Sequence, residues 1–224
     1  MTGRLFGRGL AYLVLAAASG VALTPLVWLV AATTKSQDDL FHYTFFAPHL
    51  TNESYRLLFA QAPFARYILN SVFVTSTSVI IQLFLSSLTG FALAKYDFQG
   101  KKAIMLLMLA TMMIPGQVVM APLYELLYHM GLVDSHWGLI LPGAVSVFGI
   151  FLFRQSIIQL PDELIHAARI DGCSEFRIYW DIVMPVTRPM IGAFCLISFM
   201  GAWNSFLWPQ IILHNNYRFT LPSP

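Results

Sequence analysis

Five long stretches of this sequence contain no Asp, Glu, Lys, Arg or His, and they constrain the fold more than any other feature. They cover residues 9–34, 67–94, 103–124, 137–153 and 190–213, the fourth being the shortest. A helix needs about 20 predominantly apolar residues to cross the hydrocarbon core of a bilayer, and backbone groups in lipid must be paired within their own segment. The pattern therefore predicts an all-α fold, a polytopic transmembrane helical bundle with five spans.

The composition agrees with a membrane protein. Of the 224 residues, 57% are hydrophobic and 11% are charged, against roughly 25% charged in an ordinary soluble domain. The net charge of +2 gives no reason to expect nucleic acid as a partner. Cys173 and Cys195 lie in no disulfide framework or Cys/His pattern of metal-ligand spacing, so we predict neither a metal nor a cofactor.

The first apolar stretch has two interpretations. Arg4 and Arg8 precede it, as basic residues precede the core of a signal peptide, but its apolar run exceeds the 7 to 15 residues of such a core. We interpret it as a transmembrane helix. Residues 1–66 then form an N-terminal helix with an external loop, and residues 67–224 form the core of the bundle.

The placement of basic residues predicts the orientation. With the N-terminus in the cytoplasm, the inner side receives Arg4, Arg8, Lys95, Lys101, Lys102, Arg154, Arg169, Arg177 and Arg188, and the outer side receives Lys35, Arg56, Arg66 and Arg218. Nine against four fits the excess of Lys and Arg found in cytoplasmic loops. We therefore predict a multi-pass membrane protein with a cytoplasmic N-terminus.

The inner loop 154–189 is too long to be a simple turn, and it carries the signals of a helix. Pro161 suits a first helical turn, acidic residues follow it, and Gly172 suits the left-handed residue just past a helix end. The predicted helix runs from Pro161 to Asp171. Leu164, Ala167, Ala168 and Asp171 share one face at helical spacing, which indicates a face that binds a partner.

This loop carries a recognisable motif. Its specified positions are His166-Ala167-Ala168, Gly172 after three residues, and Ile182-Val183-Met184-Pro185 after nine more. The motif resembles the Glu-Ala-Ala loop of binding-protein-dependent ABC importer permeases, with His166 in place of Glu and Met184 in place of Leu. Gly90-Phe91-Ala92-Leu93-Ala94, Ile114-Pro115-Gly116 and Trp203-Asn204 resemble the carbohydrate-uptake branch of this family.

The resemblance implies the fold of type I ABC importer permeases, a location in the bacterial plasma (inner) membrane and a transport function. The chain would form half of the transmembrane pathway for a sugar or similar polar solute. Its implied partners are a second related permease, two ATPase subunits, an extracytoplasmic solute-binding protein and the lipid bilayer. The chain itself has no Gly-x-x-x-x-Gly-Lys-Ser/Thr loop with which to cradle phosphates, so ATP hydrolysis is expected from a separate subunit and the chain is not expected to be an enzyme.

The short cytoplasmic helix would dock into the ATPase and transmit its motion. The residues expected to couple are Glu163, His166, Ala167, Ala168, Arg169, Asp171 and Gly172. His166 exchanges a carboxylate for an imidazole, which would remove or invert an ion pair made by the family's Glu. Ala168→Asp is expected to uncouple transport while changing folding little.

The family usually has a sixth helix after the position of Pro224. Five spans from a cytoplasmic N-terminus would leave Pro224 outside. We expect the 224-residue chain to assemble poorly or to require additional sequence.

Candidates for the solute path are polar residues within the spans, which are rare and tend to face the bundle interior. These are Asn70, Gln82, Gln117, Asn204 and Gln210, with Trp203 and Trp208 able to stack on a sugar ring. Asn204 is the first choice. Hydrogen bonding between helices, or anchoring of aromatic rings at the interface, explains each of them equally well.

Two other functions stay open at this stage. A secondary transporter would show inverted repeats or an intramembrane ionisable residue. A membrane enzyme would show a Ser/His or paired-carboxylate arrangement within its spans. Neither pattern is evident in the sequence.

Overall fold

The computed structural model describes residues 2–36, 39, 44–47 and 49–223, and every regular element among them is helical. The chain divides into two compact units, Met1–Phe64 and Ala65–Pro224. Two helices, Gly7–Thr33 and Phe64–Lys95, are individually long and apolar enough to cross a membrane. The predicted all-α membrane fold and its first two spans are therefore confirmed.

The first unit contains α1 (Thr2–Thr33), which includes Pro25, and the nine-residue α2 (Glu53–Gln61). Between them the chain returns to the end of α1, where the Thr51 amide donates a hydrogen bond to the Thr34 carbonyl at 2.9 Å. The ammonium group of the buried Lys35 donates a hydrogen bond to the Thr44 carbonyl. These bonds pair backbone groups where the long helix ends.

The second unit is built around α3 (Phe64–Lys95), which has no break over its 32 residues. The following helices are α4 (Lys101–Thr111), α5 (Met120–His129), α6 (His136–Ile140), α7 (Val147–Ile158), α8 (Asp162–Ile170), α9 (Glu175–Ile178), α10 (Met184–Val186), α11 (Arg188–Trp203) and α12 (Leu207–Ile212). Short 3₁₀ helices cover Gly116–Val119 and Asn216–Arg218, and one π-helical turn covers Tyr179–Val183.

The third predicted span, 103–124, is not one helix. It breaks after Thr111, and the segments Lys101–Thr111 and Gly116–His129 meet at 92°. The break includes Ile114 and Pro115; a proline lacks the amide donor and pushes the preceding residue toward extended backbone.

The last two predicted spans are also interrupted. In the stretch 137–153, α6 ends at Ile140 and α7 begins at Val147. The non-helical residues between them include Pro142 and Gly143. The stretch 190–213 is divided between α11 and α12 by residues 204–206. A further bend of 81° separates Glu175–Val186 from Arg188–Trp203. Counting each bent pair as one span gives up to four by length and composition.

Close helix contacts form the main core of the second unit. The core joins α3, α7, α8, α9, the π-helical turn and α11 through the buried residues Phe91, Phe153, Ile157, Ile165, Ala168, Ile178, Tyr179, Val183 and Phe194. A Cβ on Gly90 would lie 2.8 Å from the Phe153 Cβ, so glycine is what lets α3 and α7 approach. The Ser87 and Tyr179 hydroxyls pair at 2.7 Å within this apolar region, which satisfies both polar groups.

Candidate functional site

Helix α8 begins and ends where the local sequence directs it. Pro161 has extended backbone before the helix, and Asp162 and Glu163 occupy the first turn, where the helix dipole favours negative charge. After the helix, Gly172 has a φ of +80°. The Gly172 amide donates to the Arg169 carbonyl at 3.1 Å, and the Cys173 amide donates to the Ala168 carbonyl at 3.0 Å. This pair of bonds is a Schellman motif, which requires the left-handed residue that glycine supplies.

The face of α8 that packs on the protein differs from the predicted one. Ile165 and Ala168 are buried in the core, Ala168 with 7% of its surface exposed. Leu164, Ala167 and Asp171 are exposed. Ala168 therefore points away from the face predicted to bind a partner, because it belongs to the buried cluster that also contains Phe91 of α3 and Ile178 of α9.

The expectation that Ala168→Asp changes folding little is corrected by this burial. An unpaired carboxylate in the apolar core carries a large desolvation cost, and the protein's own packing would suffer first. The outward surface of α8 instead presents Glu163, Leu164, His166, Ala167, Ile170 and Asp171. Of these, Ile170 is 86% exposed, which is unusual for a large apolar side chain beside a well-packed core.

The first turn of α8 is joined to the last residue of α3. The Lys95 ammonium lies 2.6 Å from Asp162 Oδ1 and donates to the Leu160 carbonyl at 2.5 Å. The Lys95 side chain is 5% exposed, whereas that of Asp162 is 70% exposed. The hydrogen bond from Lys95, with its charge, lowers the pKa of Asp162, so the carboxylate is ionised at neutral pH.

The last turn of α8 is joined to the first residue of α9. Arg169 makes a two-point contact with Glu175, Nε to Oε1 at 2.7 Å and Nη2 to Oε2 at 3.2 Å. The Tyr96 hydroxyl donates to the same carboxylate, and the Arg169 guanidinium lies 5.7 Å from the centre of the Tyr96 ring. The hydrogen bonds from Arg169 and then from Tyr96 lower the pKa of Glu175. Burial raises the pKa of Tyr96, and its bond to Glu175 adds to this.

A cavity of about 310 Å³ lies farther along α3. Four of its lining residues, Ser71, Thr75, Ser78 and Gln82, recur at intervals of four, three and four along one face of α3. The remaining lining residues are Val74, Leu139, Gly143, Ser198, Gly201, Ala202, Trp203, Ser205, Trp208, Pro209, Thr220 and Pro222. Hydroxyl groups, one amide and two indoles therefore face a common space, a combination that can hydrogen-bond and stack on a polyhydroxylated ring.

The candidates for a solute path are only partly brought together. Gln82, Trp203 and Trp208 line the cavity. Asn70 instead donates to the Tyr217 and Phe219 carbonyls at 3.0 and 2.8 Å.

The other three candidates have different surroundings. The Asn204 amide donates to the Met200 carbonyl at 2.8 Å at the end of α11. Gln117 lies exposed on a 3₁₀ helix and Gln210 lies exposed on α12. None of these three is among the residues that line the cavity.

The sequence analysis did not identify the hydroxyl residues of α3 as candidates for the solute path. Ser71, Thr75 and Ser78 are small and uncharged, so the long apolar stretch 67–94 hides them when only charge and hydropathy are counted. Their helical spacing was the available signal, since residues three and four apart share a helix face.

The end of α3 far from α8 is covered by an irregular segment. Asp134 has a φ of +57°, and its carboxylate accepts hydrogen bonds from the His214 and Asn215 amides, both at 3.0 Å. Arg218 donates to the Asp134 carbonyl and lies 3.3 Å from its carboxylate. Burial opposes ionisation of Asp134, but the two amides and Arg218 together lower its pKa.

Comparison with known proteins identifies the class. Residues 82–223 match the family described as the binding-protein-dependent transport system inner membrane component. The chain belongs to this family of inner-membrane transport subunits, as the loop motif predicted.

Two relatives are arabinooligosaccharide transport system permeases named AraQ. The protein of Halalkalibacterium halodurans is 36% identical over 207 residues, covering 90% of this chain and 74% of the relative. That of Bacillus subtilis is 40% identical over 171 residues, covering 76% of this chain and 61% of the relative. The sn-glycerol-3-phosphate permease UgpE of Yersinia pestis is 37% identical over 152 residues, which cover 68% of this chain and 54% of UgpE.

A solved structure shares the fold. A bacterial ABC transporter involved in import of the acidic polysaccharide alginate superposes with a TM-score of 0.84 at 24% identity, over 99% of this chain and 78% of that one. The family match and the permease relatives confirm a multi-pass inner-membrane permease of an ABC importer and not an enzyme, and the solved structure confirms the fold. Family membership implies an ATPase and a solute-binding protein as partners in general terms.

Proposed function

We propose that this chain lines half of the pathway by which a sugar or similar polar solute enters the cell, and that α8 couples this pathway to ATP hydrolysis. The observation that carries the proposal is α8 itself. It is fixed to the protein through Ile165, Ala168 and the ion pairs at both ends, while its other face remains exposed. A rigidly held helix with a free surface can transmit the motion of a bound partner.

The contacting residues of the proposed ATPase interface follow from exposure. Glu163, His166, Ala167 and Asp171 are exposed and are assigned to contact. Ala168 supports α8 from inside the core, and Arg169 and Gly172 shape its end. At Ala167 the small side chain allows close approach of a partner's surface to the helix backbone.

The orientation is part of the proposal. Lys95, Lys101, Arg154 and Arg169 all make contacts near the α8 end of α3. A concentration of basic side chains favours the cytoplasmic side. The N-terminus is then cytoplasmic, and the segment around Asp134 faces the solute-binding protein. A second permease and two ATPase subunits complete the proposed importer.

The solute class is supported by relatives and by the cavity. Named relatives transport arabinooligosaccharides and lactose, and the cavity offers hydroxyls together with Trp203 and Trp208. We assign the solute path to this cavity. Outside the cavity, Asn70 holds the backbone of residues 217–219 and Asn204 bonds the last turn of α11. Gln117 and Gln210 also lie outside it.

Coupling is tested by Ala167→Asp in the importer co-expressed with its ATPase, second permease and binding protein. An unpaired carboxylate left in the interface costs about 1 to 3 kcal/mol, so ATPase recovery and solute uptake should fall roughly tenfold. Membrane abundance should be unchanged because Ala167 is exposed. The matched control is Ala60→Asp, at an exposed alanine of α2. Full uptake and normal ATPase recovery with Ala167→Asp would overturn the coupling assignment.

The solute path is tested in the same importer with a panel of neutral sugars and polyol phosphates. Thr75→Val removes a cavity hydroxyl and keeps the shape of the side chain, whereas Thr77→Val makes the same change on α3 outside the lining residues. One hydrogen bond of about 0.5 to 1.5 kcal/mol corresponds to a rise of roughly 2- to 13-fold in KM for uptake. If both variants take up solute with the parent's KM, the cavity is not the path.

A further inference from the structure

Two neighbouring residues at the end of α3 hold both ends of α8. Lys95, the last residue of α3, bonds Asp162 at the start of α8. Tyr96, the next residue, bonds Glu175, which in turn holds Arg169 in the last turn of α8. From this arrangement we infer that Lys95 and Tyr96 form the linkage through which displacement of α8 moves α3, and hence the hydroxyl-lined wall of the cavity. The inference rests on the proposed coupling role of α8.

The two attachments restrict different motions. A single attachment lets a helix pivot about it, whereas attachments at the first and last turns fix its direction as well as its position. The Lys95 ammonium is held by a carboxylate and a backbone carbonyl. Glu175 accepts hydrogen bonds from two of the three guanidinium nitrogens of Arg169 and from the phenol of Tyr96. Two-point guanidinium–carboxylate pairs add geometric specificity to the energy of the bond.

Energy alone does not explain this arrangement. Asp162 is largely exposed, and exposed ion pairs contribute little to stability. The ion pairs serve here to orient α8, because Ile165 and Ala168 already attach the helix to the core through apolar contacts. The polar links set how α8 is aligned on α3 rather than whether it binds.

Helix α3 also connects the contacts of α8 to the cavity without a bend. Ser78 lies 17 positions before Lys95 in one unbroken helix, or about 25 Å at 1.5 Å per residue. The route through α9 and α11 contains the 81° bend, and the route through α4 and α5 contains the 92° bend. An unbroken helix moves as one body, whereas a bend absorbs displacement.

The experiment measures motion of the cavity wall in the assembled importer. Ser78→Cys is introduced into a background with Cys173→Ala and Cys195→Ala, and its reaction with a small thiol reagent is timed with and without a non-hydrolysable ATP analogue. The parent is compared with Lys95→Met/Tyr96→Phe, which keeps the apolar stem and the ring but removes both polar links. Lys95→Arg is the conservative variant. Asp97→Asn is the matched control, because the Asp97–Lys101 pair joins the loop after α3 to the start of α4 and does not involve α8.

We expect the nucleotide to change the labelling rate in the parent, in Lys95→Arg and in Asp97→Asn. In Lys95→Met/Tyr96→Phe that change should shrink by roughly fivefold or more, the lower end of typical coupling between sites, while ATPase recovery stays normal. An undiminished nucleotide response in this double variant would overturn the linkage and leave the proposed function standing. The linkage would also be overturned if the parent bound the ATPase but the nucleotide left the labelling rate at position 78 unchanged. A parent that recovers no ATPase and shows no uptake would overturn the proposed function itself.

Discussion

The two ends of α3 are held by different kinds of contact. At the α8 end, charged side chains pair with one another across elements, and nine buried residues form the core beneath them. At the opposite end, side chains bond mainly to backbone, as Asn70 does to Tyr217 and Phe219 and as Asp134 does to His214 and Asn215. The buried cluster there contains only Leu127, Ile212 and Leu213 among the residues that the structure describes.

The difference follows from what each end must cover. Helices α3 and α8 satisfy most of their backbone groups internally, so side chains are left to join them. Residues 213–223 contain little regular helix, and buried amides and carbonyls there need partners from side chains. The α8 end should therefore respond to changes in packing and charge, and the opposite end to changes in hydrogen-bonding capacity.

The largest effect is expected where the α8 end is most tightly packed. In Gly90→Ala the new Cβ would lie 2.8 Å from the Phe153 Cβ and 3.0 Å from the Arg154 amide nitrogen, and that backbone cannot rotate away. Overpacking of this kind costs about 1 to 3 kcal/mol, so the thermal unfolding midpoint in detergent should fall. Gly192→Ala meets no atom within 4 Å and should leave the midpoint unchanged or higher. Equal midpoints for the two variants would remove the basis for calling the α8 end the tighter one.

An intermediate effect is expected from Asn70→Asp at the opposite end. The isosteric carboxylate cannot donate to the Tyr217 and Phe219 carbonyls, and each hydrogen bond lost contributes about 0.5 to 1.5 kcal/mol. Amide hydrogen exchange at residues 217–221 should become roughly tenfold faster, while exchange in α8 stays as in the parent. The control Asn216→Asp adds the same charge at an exposed neighbour. Faster exchange in α8 as well would mean that the two ends are not independent.

The smallest effect concerns pH at the α8 end. Because the pKa of folded Glu175 is lowered, its contribution to stability is present above the carboxyl's usual value of about 4.3 and is lost as pH falls through the folded pKa. The difference in unfolding midpoint between the parent and Glu175→Gln should be constant from about pH 7 to 5 and should shrink in stronger acid. Glu163→Gln is the control. A difference that disappears near neutral pH would contradict the assigned pairing.

The sequence predicts the fold class well because apolar length and helix-end signals are local. The stretch around 67–94 and the Pro161 and Gly172 signals of α8 reappear in the structure nearly unchanged. The interruption at 204–206 lies just before Pro209, which has no amide to donate to the Ser205 carbonyl and so disfavours one continuous helix there. Lys95 and Asp162 are 67 positions apart, and no local pattern pairs them. The buried face of α8 likewise depends on tertiary packing, in the cluster that contains Phe91 of α3 and Ile178 of α9.

Asp134 shows how two separate requirements can restrict one position. Its left-handed backbone favours Gly, Asn or Asp, and its contacts with two amides and Arg218 require a side-chain oxygen. Glycine meets the first requirement alone, and glutamate meets mainly the second. Natural variation at this position should therefore be narrow, confined largely to Asp with occasional Asn, even though its neighbour Val133 has only to remain apolar.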